Sequence, residues 1–225
     1  MATETELKIL LPQFADYARV RTALDAMVTA HSTEPIEVPQ VNYYLDTVGR
    51  QLLQQKAMAR VRVAGGQVEL TVKVKPKLVD GVIHVAEFQD FLPSPLANVW
   101  LTNPPPRTDL ALDTHGWLQS AAILPAPLPP DAQLLVLGAM NNVRRKYAVN
   151  ASDFGGGTAE LVVELDRVHY GMGEHEAERF EIEIETPQAA QLLPFVEAWL
   201  EGLGVDYCRA TETKFAQFLR LSAQI

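Results

Sequence analysis

The chain has 225 residues, 48% of them apolar and 21% charged, a composition that supports an ordinary buried core and argues against extensive disorder. No stretch approaches the roughly 18 consecutive apolar residues of a membrane helix, and the single cysteine, Cys208, excludes an internal disulfide. The net charge of −9 argues against a non-specific binder of long nucleic acid. The first residues, MATETELK, lack the apolar segment of a secretory signal, so we expect a cytoplasmic protein.

Nine short segments have the β-branched content and two-residue period that are typical of strands. They are 4–11, 40–47, 57–64, 67–75, 82–91, 134–139, 143–150, 159–169 and 178–186. Gly65-Gly66 has the spacing of a tight hairpin turn that requires positive φ. Because short turns join neighbouring segments, we expect antiparallel pairing.

Helical patterns are fewer than strand patterns. Apolar stripes predict helices over 12–30 and 188–203, and a last helix is predicted over about 211–223. Residues 93–130 hold nine of the fifteen prolines, which predicts an irregular connection with a short helix near 110–124. We expect one domain over 1–225, in which this connection separates two strand-rich halves.

Charged residues recur at every second position of the predicted strands, so each set shares one face of its strand. The sets are Glu4, Glu6 and Lys8; Arg60 and Arg62; Lys73 and Lys75; Arg144 and Lys146; Glu164 and Asp166; and Glu181, Glu183 and Glu185. The residues between them are mostly apolar, as in Leu7, Val61 and Ile182.

Two architectures agree with this alternation. A half-exposed sheet would turn its charged face to water, but such faces usually mix charge signs, whereas here the signs group within strands. A closed barrel with a polar, wet interior would instead gather bases beside carboxylates. Clustered Arg and Lys favour a polyanion, and clustered carboxylates favour Mg²⁺ or Mn²⁺. A metal-bound polyphosphate would pair with both clusters, because its phosphates bind the bases and its metal ion binds the carboxylates.

Short motifs begin with Glu4-Thr5-Glu6-Leu7-Lys8, which has an ExExK pattern, and Tyr43-Tyr44-Leu45-Asp46-Thr47, which is of the YFDT type. These motifs and their order resemble the CYTH domain, or triphosphate tunnel metalloenzyme, family. Further matches follow in the family's order: Ala59–Val63 with LRxR, Leu70–Lys73 with LTxK, Glu87 with an acid, Arg144–Tyr147 with a basic strand, Glu164–Asp166 with a strand ending in LD, Glu181–Glu185 with EIELE, and Thr213–Phe215 with SKY/SKF.

The resemblance implies an α+β fold: a closed antiparallel barrel of about eight strands with a polar interior and helices packed outside. It implies that Mg²⁺ or Mn²⁺ is held by Glu4, Glu6, Asp166, Glu181 and Glu183. It assigns phosphate binding to Lys8, Arg60, Arg62, Lys73, Arg144, Lys146 and Lys214, and Lys75 is added because it shares a strand face with Lys73. Lys8, Glu87 and Lys214 are expected at the catalytic centre.

The chain departs from the family pattern around Glu87. The family usually has Arg two residues before this acid and Glu two residues after it, where this chain has Val85 and Gln89. His84 is a weak candidate to replace the missing base.

The expected activity is metal-dependent hydrolysis of the terminal phosphate of tripolyphosphate or an organic triphosphate. A class IV-type adenylate cyclase and a non-catalytic polyphosphate- or nucleotide-binding module are the alternatives. The expected partner is a small-molecule triphosphate, with no long nucleic acid and no membrane, and a homodimer remains open.

Overall fold

Nine strands form the framework of the computed structural model, which describes residues 2–102, 123–128, 134–172 and 175–222. They are β1 Ala2–Leu11, β2 Ile36–Thr47, β3 Ala57–Ala64, β4 Gln67–Val79, β5 Val82–Phe91, β6 Leu134–Asn150, β7 Glu160–Met172, β8 His175–Glu185 and β9 Cys208–Arg209. The hairpin between β3 and β4 turns at Gly65 and Gly66, with φ of 54° and 77°, as predicted.

Strand β1 closes the sheet into a barrel. The strand order is β5-β4-β3-β2-β6-β7-β8-β1, and β1 also pairs with β5, so that every strand of the eight has two neighbours. All of these pairings are antiparallel. The short strand β9 lies outside the closed barrel against Ile9 and Leu10 of β1. The predicted closed antiparallel barrel is confirmed.

Strand β6 corrects the prediction of two separate strands over 134–139 and 143–150. It is continuous, and its register with β2 shifts so that Tyr44 faces Gly138 while Leu45 faces Val136. The extra residue, Leu137, changes which face the following side chains occupy. Asn141 and Asn142 suggest a turn by composition, but Asn142 is buried and donates a hydrogen bond to Gln40 on β2.

Five α-helices are present in the described residues: α1 Phe14–Ala30, α2 Gln51–Gln54, α3 Ser94–Thr102, α4 Ala189–Gly202 and α5 Lys214–Ser222. The three long helices predicted near 12–30, 188–203 and 211–223 are confirmed as α1, α4 and α5. Helix α3 lies in the proline-rich segment that was predicted to be largely irregular. The short helix predicted near 110–124 falls almost entirely on 103–122, outside the described residues.

Apolar side chains of the barrel face outward, where helices cover them. Leu7 and Ile9 of β1 and Ile182 and Ile184 of β8 are buried in one cluster with α1 and α4. On the other side, the ring of Trp100 on α3 lies 5.0 Å from that of Tyr43 on β2. With this arrangement, the alternate side chains of the same strands point into the barrel.

Helix α5 packs across one end of the barrel interior. Its Phe218 is completely buried in a cluster with four side chains from the strands, namely Tyr44, Met140, Val168 and Tyr170. The barrel interior is therefore apolar at this end and charged beyond it. No helix in the described part of the chain is long and apolar enough to cross a membrane.

Candidate active site

The charged part of the barrel encloses a cavity of about 510 Å³, a size that suits a small-molecule ligand. Eleven of the residues predicted for the site line it: Glu4, Glu6, Lys8, Arg60, Arg62, Lys73, Glu87, Arg144, Lys146, Glu183 and Lys214. They come from β1, β3, β4, β5, β6, β8 and the start of α5, so barrel closure brings together residues from both ends of the sequence.

A buried ion-pair network forms one wall of this cavity. Lys214 Nζ lies 2.7 Å from Asp166 Oδ2, 2.7 Å from Glu183 Oε1 and 3.0 Å from Glu181 Oε2. The guanidinium of Arg144 donates two hydrogen bonds to Asp166, of 2.8 and 2.6 Å, in a bidentate arrangement. Charged groups buried at this depth are tolerated because each has several partners.

The network shifts the pKa values of Lys214 and Asp166 in opposite directions. Burial lowers the pKa of Lys214, but the carboxylates of Asp166, Glu181 and Glu183 outweigh it and raise the pKa above its usual value. Burial likewise opposes the charged form of Asp166, but Arg144 and Lys214 outweigh it and lower the pKa of this carboxyl to about 2. Lys214 is therefore charged at neutral pH and donates hydrogen bonds to these carboxylates.

Arg60 and Arg62 are less well paired than the cations of this network. Among the described residues, Arg60 forms no ion pair, its Nε is buried without a hydrogen-bond partner, and it donates one hydrogen bond to Thr71. Arg62 donates to Asn42 and lies 3.7 Å from Glu69. Burial, then repulsion from Arg60 and Arg144, lowers the pKa of Arg62 to about 10, so it is still charged at neutral pH. An anion bound here would relieve that repulsion.

A carboxylate cluster faces this pair of arginines across the cavity. Glu4, Glu6 and Glu185 each offer an oxygen, and the three oxygens lie within 4.8 Å of one another. Three carboxylate oxygens at this separation fit a hard divalent cation such as Mg²⁺ or Mn²⁺. Glu4 also accepts a hydrogen bond of 2.7 Å from Lys73, which lies 3.1 Å from Glu87.

Three predicted site residues do not line the cavity. Asp166 and Glu181, predicted as metal ligands, are completely buried beneath its wall and paired with Lys214. Lys75, predicted to bind phosphate, has an exposed side chain and a φ of 50°, at a register shift of β4. This irregularity breaks the alternation on which the prediction for Lys75 depended.

The departures from the family pattern lie inside the cavity. Val85 and Gln89 both line it, so β5 offers no base beside Glu87. Gln89 donates a hydrogen bond to Glu69. His84 does not replace the missing base, because its ring lies on the exposed face of β5 and is hydrogen-bonded to Thr5.

Two charged residues of β8 had no site role predicted from the sequence. Glu185 belongs to the carboxylate cluster, and Arg179 is buried and pairs with Glu181. Both continue the two-residue period of Glu181 and Glu183 on β8, so the pattern contained the signal for both.

The described residues form a closed antiparallel barrel whose cavity is lined by both bases and carboxylates. The chain belongs to the CYTH domain family, whose sequence profile matches residues 2–213. No curated protein sequence matches the chain significantly.

Solved structures show the same fold. HpAC1 from Hippeastrum, described as a candidate adenylyl cyclase with a dominant triphosphatase activity, is 25% identical with a TM-score of 0.75, covering 96% of this chain and 95% of its own. A candidate adenylate cyclase from Bacillus halodurans is 19% identical with a TM-score of 0.59, covering 97% of this chain and 99% of its own. A protein of Pyrococcus horikoshii is 17% identical with a TM-score of 0.53, and the match covers 98% of this chain and 99% of its own.

Proposed function

We propose that the chain is a metal-dependent triphosphatase that removes the terminal phosphate of inorganic tripolyphosphate or an organic triphosphate. The observation that carries this proposal is the placement of Arg60 and Arg62, incompletely paired, across one cavity from Glu4, Glu6 and Glu185. The dominant triphosphatase activity described for HpAC1 supports the same activity here.

In this proposal, Glu4, Glu6 and Glu185 hold Mg²⁺ or Mn²⁺. The ion, when bound, neutralises charge on the phosphate chain and polarises the terminal phosphoryl group. Arg60 and Arg62 bind phosphate oxygens, for which the planar guanidinium is suited. Water attacks the terminal phosphorus in line as the bond from that phosphorus to its bridging oxygen breaks. The remaining phosphate chain leaves on the bridging oxygen, and the proton of the attacking water passes to a phosphate oxygen or to bulk water. The barrel wall orients the phosphate chain for that attack.

Lys8 and Lys214 act as fixed positive charges. Burial lowers the pKa of Lys8, but Glu183, Glu6 and Glu181 outweigh it, and the pKa lies well above its usual value. Both ammonium groups therefore donate hydrogen bonds throughout the reaction and stabilise negative charge as it spreads over the transferred group. Glu183, which both lysines contact, holds them at the cavity wall.

A phosphate-release assay with purified protein tests the proposal against both alternatives. Tripolyphosphate, ATP and thiamine triphosphate are each incubated with Mg²⁺ or Mn²⁺, and orthophosphate, pyrophosphate and cyclic AMP are measured. Orthophosphate release supports hydrolysis, whereas cyclic AMP with pyrophosphate indicates the cyclase. Tight triphosphate binding without any product indicates a binding module.

Glu4→Gln and Glu6→Gln test the assignment of the carboxylates. Each should abolish metal-dependent turnover while the circular dichroism spectrum is preserved, because an amide is a poorer ligand for a hard cation. Glu178→Gln is the matched control, because Glu178 lies on the outer face of β8 in an ion pair with Arg167. Undiminished turnover in both Glu4→Gln and Glu6→Gln would contradict the assignment.

A further inference from the structure

Lys73 occupies a position between two carboxylates that have different roles in the cavity. Its Nζ donates a 2.7 Å hydrogen bond to Glu4 Oε2 and lies 3.1 Å from Glu87 Oε2. Glu87 is directly opposite Lys73 on the paired strand β5, and Glu4 lies on β1, the next strand of the barrel. The ammonium group therefore links three adjacent strands.

Glu4 cannot serve Lys73 and a divalent cation equally well. Its carboxylate belongs to the cluster with Glu6 and Glu185, and a cation bound there would share Glu4 with the Lys73 ammonium. Two positive charges a few ångströms apart repel each other strongly in a partly buried site. One of them must move, and only the lysine has a flexible stem.

The surroundings of Lys73 allow that movement. Its side chain is 22% exposed and lines the cavity, whereas the side chain of Lys8, the other base near the cluster, is only 5% exposed. Lys8 does contact the cluster, 3.1 Å from Glu6 Oε1, but it is nearly inaccessible and is also held by Glu181 and Glu183, so it is not free to turn away as Lys73 is. If Lys73 leaves Glu4, Glu87 remains as its partner, so that its charge stays paired.

We propose that Lys73 is an exchangeable counter-ion of the metal site. In the metal-free protein it neutralises Glu4. When a divalent cation binds, the Lys73 side chain turns away from Glu4 towards Glu87 and the cavity. There its ammonium group contacts the incoming phosphate chain. Glu87 is then a positioning residue that receives Lys73, and metal binding and phosphate binding assist each other. The inference rests on the proposed function insofar as Glu4, Glu6 and Glu185 bind a divalent cation.

The test is Mn²⁺ binding to the metal-free full-length protein without any triphosphate, measured by calorimetry at constant ionic strength. Lys73→Gln removes the competing cation and should tighten the Mn²⁺ Kd by about tenfold. Lys146→Gln is the matched control. Lys146 lines the same cavity, but its ion pair is with Glu164, outside the cluster, so the Kd should change by less than about twofold.

Glu87 is tested by a double-mutant cycle. Glu87→Gln should weaken Mn²⁺ binding by about threefold to tenfold, because Lys73 then depends on Glu4 alone. In the Lys73→Gln background Glu87→Gln should have little effect on the Mn²⁺ Kd, since Glu87 then has no Lys73 ammonium group to pair with. A role of Glu87 that is merely electrostatic would give the same weakening in both backgrounds, and this outcome would contradict the positioning role.

The other outcomes are also decisive. An Mn²⁺ Kd for Lys73→Gln within twofold of the wild-type value, equal tightening by Lys146→Gln, or no Mn²⁺ binding by any variant overturns the inference. If Lys73→Gln fails to fold, Lys73→Met, which keeps a long unbranched stem, replaces it. The expected shifts without phosphate release would sustain this inference and refute the triphosphatase. Phosphate release together with an unchanged Mn²⁺ Kd in Lys73→Gln would support the triphosphatase and refute this inference.

Discussion

The close approach of Phe218 on α5 to Gly138 on β6 permits a direct test of how the barrel end is closed. A Cβ atom at Gly138 would lie 2.8 Å from Cζ and 3.0 Å from Cε2 of Phe218, whereas ordinary contacts begin at 3.4 Å. The ring or the strand would have to move by about 0.6 Å in Gly138→Ala. Phe218 is completely buried and its ring centroid lies 4.8 Å from that of Tyr44, so other side chains resist the movement.

The expected cost of Gly138→Ala is about 1–3 kcal/mol in the free energy of unfolding, as for other overpacked core positions. Urea unfolding, followed by fluorescence and by circular dichroism, measures it. Phe218→Leu removes the ring atoms that the new methyl group would meet. In that background Gly138→Ala should therefore cost less than about 0.5 kcal/mol, which gives a coupling energy of at least ~0.5 kcal/mol.

The same cost in both backgrounds would refute this reasoning, since it would mean that the methyl group does not meet Phe218. A cost below about 0.5 kcal/mol in the wild-type background would do so too. Because α5 begins at Lys214, a displaced helix should also disturb the ion pairs of Lys214 with Asp166 and Glu183. Triphosphate turnover in Gly138→Ala is expected to fall for that reason.

Two further predictions concern charges of the cavity. Arg62→Gln should weaken tripolyphosphate binding by about 1.5–3 kcal/mol in calorimetry, the value of a charged hydrogen bond, whereas Arg145→Gln, on the outer face with Glu37, should not. An unchanged Kd in Arg62→Gln would remove this residue from the site. Asp166, with its pKa lowered to about 2 from 3.8, contributes roughly 2 kcal/mol of stability that is present above pH 3.8 and lost as pH falls through 2. As pH is lowered over that acidic range, the unfolding free energy of Asp166→Asn should therefore fall less than that of the wild type. Urea unfolding at several pH values measures this, and an equal fall in both proteins would contradict the low pKa.

The division of each strand into two faces could be predicted without the structure. Glu4, Glu6 and Lys8 alternate with Leu7 and Ile9, and the barrel buries the apolar set under helices while the charged set faces the cavity. This alternation is a local property, since side chains of a strand point to opposite faces in turn. The hairpin at Gly65-Gly66 was equally local, because only the backbone conformation of two residues decides it.

Local pattern failed where a strand departs from regular geometry. Lys75 has the right parity to follow Lys73, but a positive φ at the irregularity of β4 leaves its side chain exposed. Strand β6 continues through Asn141 and Asn142, although both favour turns, because pairing with β2 satisfies their backbone groups.

The partners of these charges were decided by the tertiary structure, through barrel closure and the docking of α5. Strand β1 lies between β8 and β5, so Glu4 and Glu6 meet Glu185 from the far end of the chain and Lys73 from β4. Asp166 and Glu181 have the composition of metal ligands, but α5 brings Lys214 to them and neutralises both. Electrostatic energy depends on distances between atoms, and those distances arise from strands that are adjacent in space but far apart in the sequence.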